Sequence, residues 1–272
     1  MQLAPSDSLS SVVKHYLILE SEVDVRLQYR LFSDGNPGIV FHFKNPLVEY
    51  TDGHSFGNIQ PRSFVYGQIT HYNDLTSNGK LGMLVVVLQP FGIYSLFRIA
   101  AHELNNCILK LPDLFGQQAL DLEDQILREQ HVDRITKLVE KFLLEKLANS
   151  NNPDHLFKEA LHLMYKWRGI ISVEELLREI PITERQLERK FKELVGTSPK
   201  KFLDTIKFQN FLKLLKNHSR GEKISNAIYD GGYYDQAHLN NYFKKITGVT
   251  PIQYKLNHQL LAINFIQLSS NK

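Results

Sequence analysis

The chain has 272 residues, with 32 Lys and Arg against 29 Asp and Glu, for a formal net charge of +3. A single cysteine, Cys107, excludes an internal disulfide framework or a cysteine-based metal site and points to a reducing compartment. The longest apolar run, 83–88, is a strand's length and far below the roughly 20 residues of a membrane span, and no basic segment followed by a long apolar run opens the chain. The expected setting is the cytoplasm, with no membrane partner.

In chain order, the first half is written in short runs rich in Val, Ile, Tyr and Phe: 12–20, 25–32, 39–43, 63–68 and 83–89. Turn formers such as Asp34-Gly35-Asn36-Pro37-Gly38, Asp52-Gly53 and Ser77-Asn78-Gly79 separate them. Short strands at this spacing predict a small β-barrel or sandwich over 1–92. The mouth of a barrel is a usual ligand site, and His42, Tyr66, Gln68 and Gln89 are its candidate polar liners for a small-molecule effector. Phe41-His42-Phe43-Lys44 offers one histidine and no HxH pair, so no metal ligand set, catalytic residue or cofactor is expected there. Cys107 is read as filling a helix. No GxSxG, Walker loop or dinucleotide fingerprint occurs.

From about residue 94 the period turns helical, predicting helices over 93–148. Ile135, Leu138, Val139, Phe142, Leu143 and Leu147 form an apolar stripe. Two destinations stay open for it: packing against the barrel, or the interface of a homodimer. Asn149-Ser150-Asn151-Asn152-Pro153-Asp154 reads as a linker. Charge separates there. Residues 1–152 hold 13 Lys and Arg and 17 Asp and Glu, whereas 153–272 hold 19 and 12. A basic second half meets the electrostatic requirement for contact with phosphates.

Residues 183–202 and 235–254 are one device written twice. At an offset of 52, Leu187 matches Leu239, Phe191 Phe243, Lys192 Lys244, Gly196 Gly248, Pro199 Pro251 and Phe202 Tyr254. Each copy predicts a helix. Thr183 and Asp235 suit the N-cap, and Gly196 and Gly248 the left-handed position after the helix end. Leu187, Phe191, Leu194 and Val195 share one face, as do Leu239, Phe243 and Ile246. Arg185, Arg189 and Lys192 point away from the first stripe, and Ala237, Asn241, Lys244 and Lys245 from the second. Shorter amphipathic segments, 173–177 and 224–228, precede the two copies. The pattern is a pair of helix-turn-helix units at 173–196 and 224–248, whose second helices suit a major groove. A helix over 199–216, apolar on several sides, would separate them by roughly 27 Å, near the roughly 34 Å of one DNA turn.

At 155–256 the residues resemble the AraC/XylS family of bacterial transcription regulators. GGYYDQAHLNNYFKKITGVTPIQY is close to that family's second-motif signature, and ISVEELL and ERQLERKFKELVGTSPKKF match the first. The resemblance implies seven helices carrying two helix-turn-helix motifs on a central helix. It places base contacts with double-stranded DNA on Arg185, Glu188 and Arg189, then on Gln236, His238 and Asn241. Lys192, Lys200, Lys201, Lys244 and Lys245 are the phosphate-contact candidates, and RNA polymerase is a further partner. Pro181 departs from the pattern, standing where glycine is usual in the first turn, and proline cannot take positive φ. Leu177 replaces a small residue, and Asn241 a common arginine. The family analogy also implies a cupin-like sensor in the first half. Segments such as NPGIVFHF, PRSFVYGQ and LQPFGIYSLF resemble a domain common in such regulators from Bacteroidetes-type bacteria.

The expected protein is therefore α+β: a sensor and dimerisation domain over 1–152, and an all-α DNA-binding domain over 153–272. Its expected function is sequence-specific transcription regulation under a small-molecule effector. The alternative is a cupin-type enzyme or carbohydrate-binding protein with a helical appendage.

Overall fold

The computed structural model describes all residues except 51–56, 148–151, 218–227, 229–230, 234–235, 258–259 and 269–272. The first half is built on β-strands β1 (Gln2–Leu3), β2 (Val13–Ser21), β3 (Gln28–Leu31), β4 (Gly38–His42), β5 (Val48–Tyr50), β6 (Asn58–Ile59), β7 (Ser63–Tyr66), β8 (Asn73–Thr76), β9 (Leu81–Leu88) and β10 (Ile108–Lys110). Helices α1 (Gly92–Phe97), α2 (Leu111–Phe115), α3 (Gln117–Arg128) and α4 (Val132–Leu147) follow β9, with a 3-10 turn at Ala101–Leu104. The second half holds α5 (His155–Lys166), α6 (Val173–Glu179), α7 (Glu184–Leu194), α8 (Pro199–Asn217), α9 (Gln236–Thr247) and α10 (Pro251–Leu256). It closes on strands β11 (Leu260–Ala262) and β12 (Phe265–Gln267).

Two open six-stranded sheets face each other, in the orders β1-β2-β9-β4-β7-β10 and β11-β12-β3-β8-β5-β6. Of the small barrel or sandwich expected over 1–92, these sheets form the sandwich; they do not close into the cupin-like barrel. Strand β9 shows how the layers stack. All eight of its residues are buried. Successive side chains alternate faces, so Met83, Val85 and Val87 enter the core between the sheets, while Leu84, Val86 and Leu88 enter the core beneath the helices. The order is sheet, sheet, helices.

The stripe on α4 resolves into the helical layer. Ile135, Val139, Phe142 and Leu143 are buried in one cluster with Val65, Leu84 and Val86 of the first sheet, and Leu138 and Leu147 pack against it half-buried. It is internal core. The dimer interface weighed for this stripe is therefore corrected, and no surface is assigned to a homodimer.

The halves also share more core than the charge boundary near 152 suggests. Phe91 of the first half packs with Phe157, Phe191 and Phe202 of the second, its ring 6.4 Å from that of Phe157. Phe32 packs with Phe208, Phe243 and Tyr254. Strand β12, from the far end of the chain, pairs antiparallel with β3. The expected second-half domain over 153–272 therefore gives its last described strands to a sheet of the first half.

Candidate nucleic-acid interface and cavity

The first helical pair is locally determined. A reciprocal capping box opens α6: Glu175 N donates to Ser172 Oγ at 3.1 Å and Ser172 N to Glu175 Oε2 at 2.8 Å. Thr183 and Gln186 form the same box on α7. Between the helices, Ile182 N donates to Ile180 O at 2.8 Å, closing a three-residue turn around Pro181. An inverse γ-turn needs negative φ at its centre, which proline supplies. That is how the turn forms without the expected glycine. Ile180 and Ile182 on either side are buried, and Leu177 packs half-buried against the same core.

Helix α7 buries Leu187, Phe191 and Leu194 and leaves Arg185, Glu188, Arg189 and Lys192 exposed. Phe191 sits at ring distances of 5.2 Å from Phe157 and 5.6 Å from Phe202. Lys190 pairs with Asp154, which also caps α5 through Phe157 N at 3.0 Å. The pairing with Lys190 holds the Asp154 carboxyl below the usual carboxylate range. Gly196 follows the helix at φ +87°, where its N–H meets Phe191 O at 2.9 Å. A Cβ there would lie 2.9 Å from Ala101 O. Asn105 Nδ2 also donates to Gly196 O at 2.7 Å. The end of α7 is thereby pinned to the 3-10 turn of the first half.

Helices α9 and α10 carry the second copy of the repeat, in the places of α7 and the start of α8. Leu239 and Phe243 are buried, with Phe243 5.2 Å from Phe208 and 5.8 Å from Tyr254 by ring centres. Asn241, Lys244 and Lys245 are exposed. Gly248 takes φ +69°, and Thr250 and Gln253 make a capping box. Asp235, the side chains of Gln236 and His238, and the segment 224–228 apart from Ile228 lie outside the described residues. Helix α8 runs between α7 and α9. Phe202 and Ile206 enter the first core, and Phe208, Phe211, Leu212 and Leu215 the second. Lys200 and Lys201 are exposed at its start.

A cavity of about 640 Å³ opens between the two sheets and α8. Its apolar wall includes Val40, Phe64, Met83 and Val85. Of the four candidate effector residues, Tyr66 lines it, whereas His42, Gln68 and Gln89 are not among its lining residues. His42 is buried with Nε2 3.2 Å from Gln60 Oε1, and burial pushes its ring down to about 4. Gln68 is buried and donates to Gly35 O at 2.9 Å. Gln89 is half-buried, and its backbone N–H donates to Val12 O at 2.8 Å.

The lining residues that sequence reasoning missed include Lys14 and His15 on β2, Asp34 and Glu49, and Asn210, Lys213 and Lys216 on α8. Burial holds the Lys14 ammonium below the ordinary lysine value; nearby Asp34 opposes the shift and Lys213 adds to it. His15 is held low by burial in the same way, opposed by Asp34 and assisted by Lys14. Residues 200 positions apart meet here, so no local pattern signals them. Among the described residues, no group of three His, Cys, Asp or Glu could hold a metal ion, and no helix is long and apolar enough to cross a membrane.

Two family models match the chain: a helix-turn-helix domain over 176–257, and a domain of unknown function over 1–110. The first, on these exposed helix faces, defines a DNA-binding transcription regulator. The helix-turn-helix match spans α6 through α10, the segment whose residues resemble the AraC/XylS family. No curated protein matches it. Among solved structures it is similar to ToxT from Vibrio cholerae, at 11% identity over 88% of this chain and 97% of that one, with a TM-score of 0.49. ToxT bound to (E)-4-(8-methylnaphthalen-1-yl)but-3-enoic acid gives 13% identity over 88% and 97%, with a TM-score of 0.48. The AraC-like transcriptional activator CuxR gives 19% identity over 78% and 80%, with a TM-score of 0.29.

Proposed function

We propose that the protein reads a specific DNA site through two helix-turn-helix units held on α8, and that a small molecule in the intersheet cavity controls it. The observation that carries the DNA reading is the matched pair α7 and α9. Each has its aromatic face in a core and a polar, basic face free. Arg185, Glu188 and Arg189 on α7, with Gln236, His238 and Asn241 on α9, are the base-reading set. Arginine can make paired hydrogen bonds to guanine, and asparagine or glutamine to adenine. Lys192, Lys200, Lys201, Lys244 and Lys245 supply sequence-independent phosphate contacts. Selection of binding sites from random duplexes tests this reading. A split site with two half-motifs about one turn apart supports two reading helices, and a single short motif refutes the second.

The effector reading rests on the cavity itself. An apolar interior whose lining carries Lys14, Lys213 and Lys216 against Asp34 and Glu49 suits a molecule with an apolar body and an anionic group. Lys14 and Lys213 repel each other, with Asp34 offsetting part of that repulsion at Lys14, and an anion beside the pair would relieve the rest. The fluorophore 8-anilinonaphthalene-1-sulfonate has this chemistry. It should brighten on binding the full chain, and Lys213→Glu should abolish the signal while the fold, read by circular dichroism, is retained. Equal fluorescence in Lys213→Glu refutes this placement.

A further inference from the structure

The C-terminal hairpin of β11 and β12 lies beyond both family-matched segments, yet it touches the cavity, strand β3 and the core of α9 and α10. Its strand β12 pairs Phe265 with Leu31, Ile266 with Arg30 and Gln267 with Tyr29 of β3. Two further bonds fix the turn: Phe32 N donates to Asn264 O, and Asn264 Nδ2 donates to Phe32 O, both at 3.0 Å. Neighbouring strand residues point to opposite faces, and here the two faces belong to different cores. Phe265 enters the intersheet core with its ring 5.4 Å from Tyr29. Ile266, 1% exposed, enters the core of α9 and α10 beside Phe243 and Tyr254.

The second helical unit is tied to the hairpin by polar contacts as well. The Tyr254 hydroxyl donates to Ile263 O at 2.7 Å, and Asn257 Nδ2 donates to Gln267 O at 2.8 Å. On the adjacent strand, Arg30 is held by Asp74 through bonds of 2.6 and 2.7 Å and reaches Thr247 O at 3.5 Å. The hairpin is also a wall of the cavity, to which it contributes Leu261, Ile263 and Phe265.

We propose that this hairpin is the element that transmits cavity occupancy to the second DNA-reading helix. The proposal rests on the reading of the cavity as an effector site. An occupant touching Leu261 and Phe265 gains those contacts only while the hairpin is seated. By linkage it shifts the hairpin toward the seated state by its difference in affinity for the two states. A seated hairpin fixes α9 and α10 on the first-half sheet through Ile266 and Tyr254. Helix α7 is pinned separately, through Gly196 and Asn105. Occupancy therefore acts on one reading helix and not the other, which changes their relative placement on DNA.

Amide hydrogen exchange of the full chain, with and without 8-anilinonaphthalene-1-sulfonate, tests this. Saturating probe should slow exchange over 236–256 by about fivefold or more and leave 184–194 nearly unchanged. Phe265→Ala, a change on the cavity side only, should speed exchange over 236–256 by at least about tenfold. Tyr254→Phe keeps the ring in its core and deletes one bond to the hairpin. It should bind the probe as the parent does, yet show a smaller slowing over 236–256. Equal slowing of 184–194 and 236–256 would mean general stabilisation and overturns the proposal. Unaltered exchange over 236–256 in Phe265→Ala overturns it as well. Probe fluorescence with no change over 236–256 overturns transmission while the cavity reading stands. Absence of probe fluorescence overturns both readings together.

Discussion

Arg189 and Phe191 lie two residues apart on α7, about 200° around the helix at 100° per residue, and should fail in opposite ways when truncated. Arg189 is exposed. Arg189→Ala removes none of the apolar side chains beneath the helix, so stability should stay within about 0.5 kcal/mol. Its loss should appear on DNA, at about 1–3 kcal/mol on the specific site with relaxed preference at one base position. That is roughly a 5- to 150-fold rise in Kd. Phe191 is fully buried between Phe157 and Phe202 at ring distances of 5.2 and 5.6 Å. Phe191→Ala opens a cavity among rings that cannot all collapse, and should cost about 3–5 kcal/mol of stability. Urea unfolding followed by circular dichroism gives the stability change, and site selection with each variant gives base preference. The reasoning fails if Arg189→Ala keeps its full base preference. It fails equally if Phe191→Ala unfolds at the parent's urea midpoint.

Lys244→Ala should weaken specific and random duplexes alike and reduce the slope of log K against log salt by about one; fluorescence anisotropy across a salt series checks this, and a base-specific loss contradicts it. Phe142 is 4% exposed within the core beneath the first sheet, so Phe142→Asp should unfold the first half rather than release a folded monomer. Sedimentation together with near-ultraviolet circular dichroism distinguishes those results. His42 carries a pH dependence of definite sign. Burial depresses its folded value to about 4 from the ordinary 6.5, so between those values the unfolded chain holds a proton that the folded chain does not. Stability should fall as pH drops from about 6.5 to about 4, by roughly 3 kcal/mol in total at about 1.4 kcal/mol per pH unit. His42→Gln should lack that share in urea titrations at pH 7.5 and 4.5, and an identical pH dependence in parent and variant removes His42 as its source.

The sequence by itself determined the features that local periodicity and capping chemistry control. Strand runs at 12–20, 39–43, 63–68 and 83–89 reappear as β2, β4, β7 and β9, because alternating side chains seated between two covered faces leave a dense apolar signature. The buried and free faces of α7, and the left-handed Gly196 and Gly248, follow from spacing and from the absence of Cβ in the same way. Tertiary structure alone decided what depends on distant partners. The α4 stripe reads identically for a dimer or an internal core, and only the position of Val65 and Leu84 settles it. Gln68 donates to Gly35 O, and His42 is buried with Nε2 on Gln60, and neither side chain lines the cavity. Lys14 and Lys213 become one site only because β2 and α8 meet. Residues 260–267 are too short a pair of strands to stand out in composition. Their partner β3 lies more than 220 positions away, and pairing with it decides that Phe265 and Ile266 enter different cores.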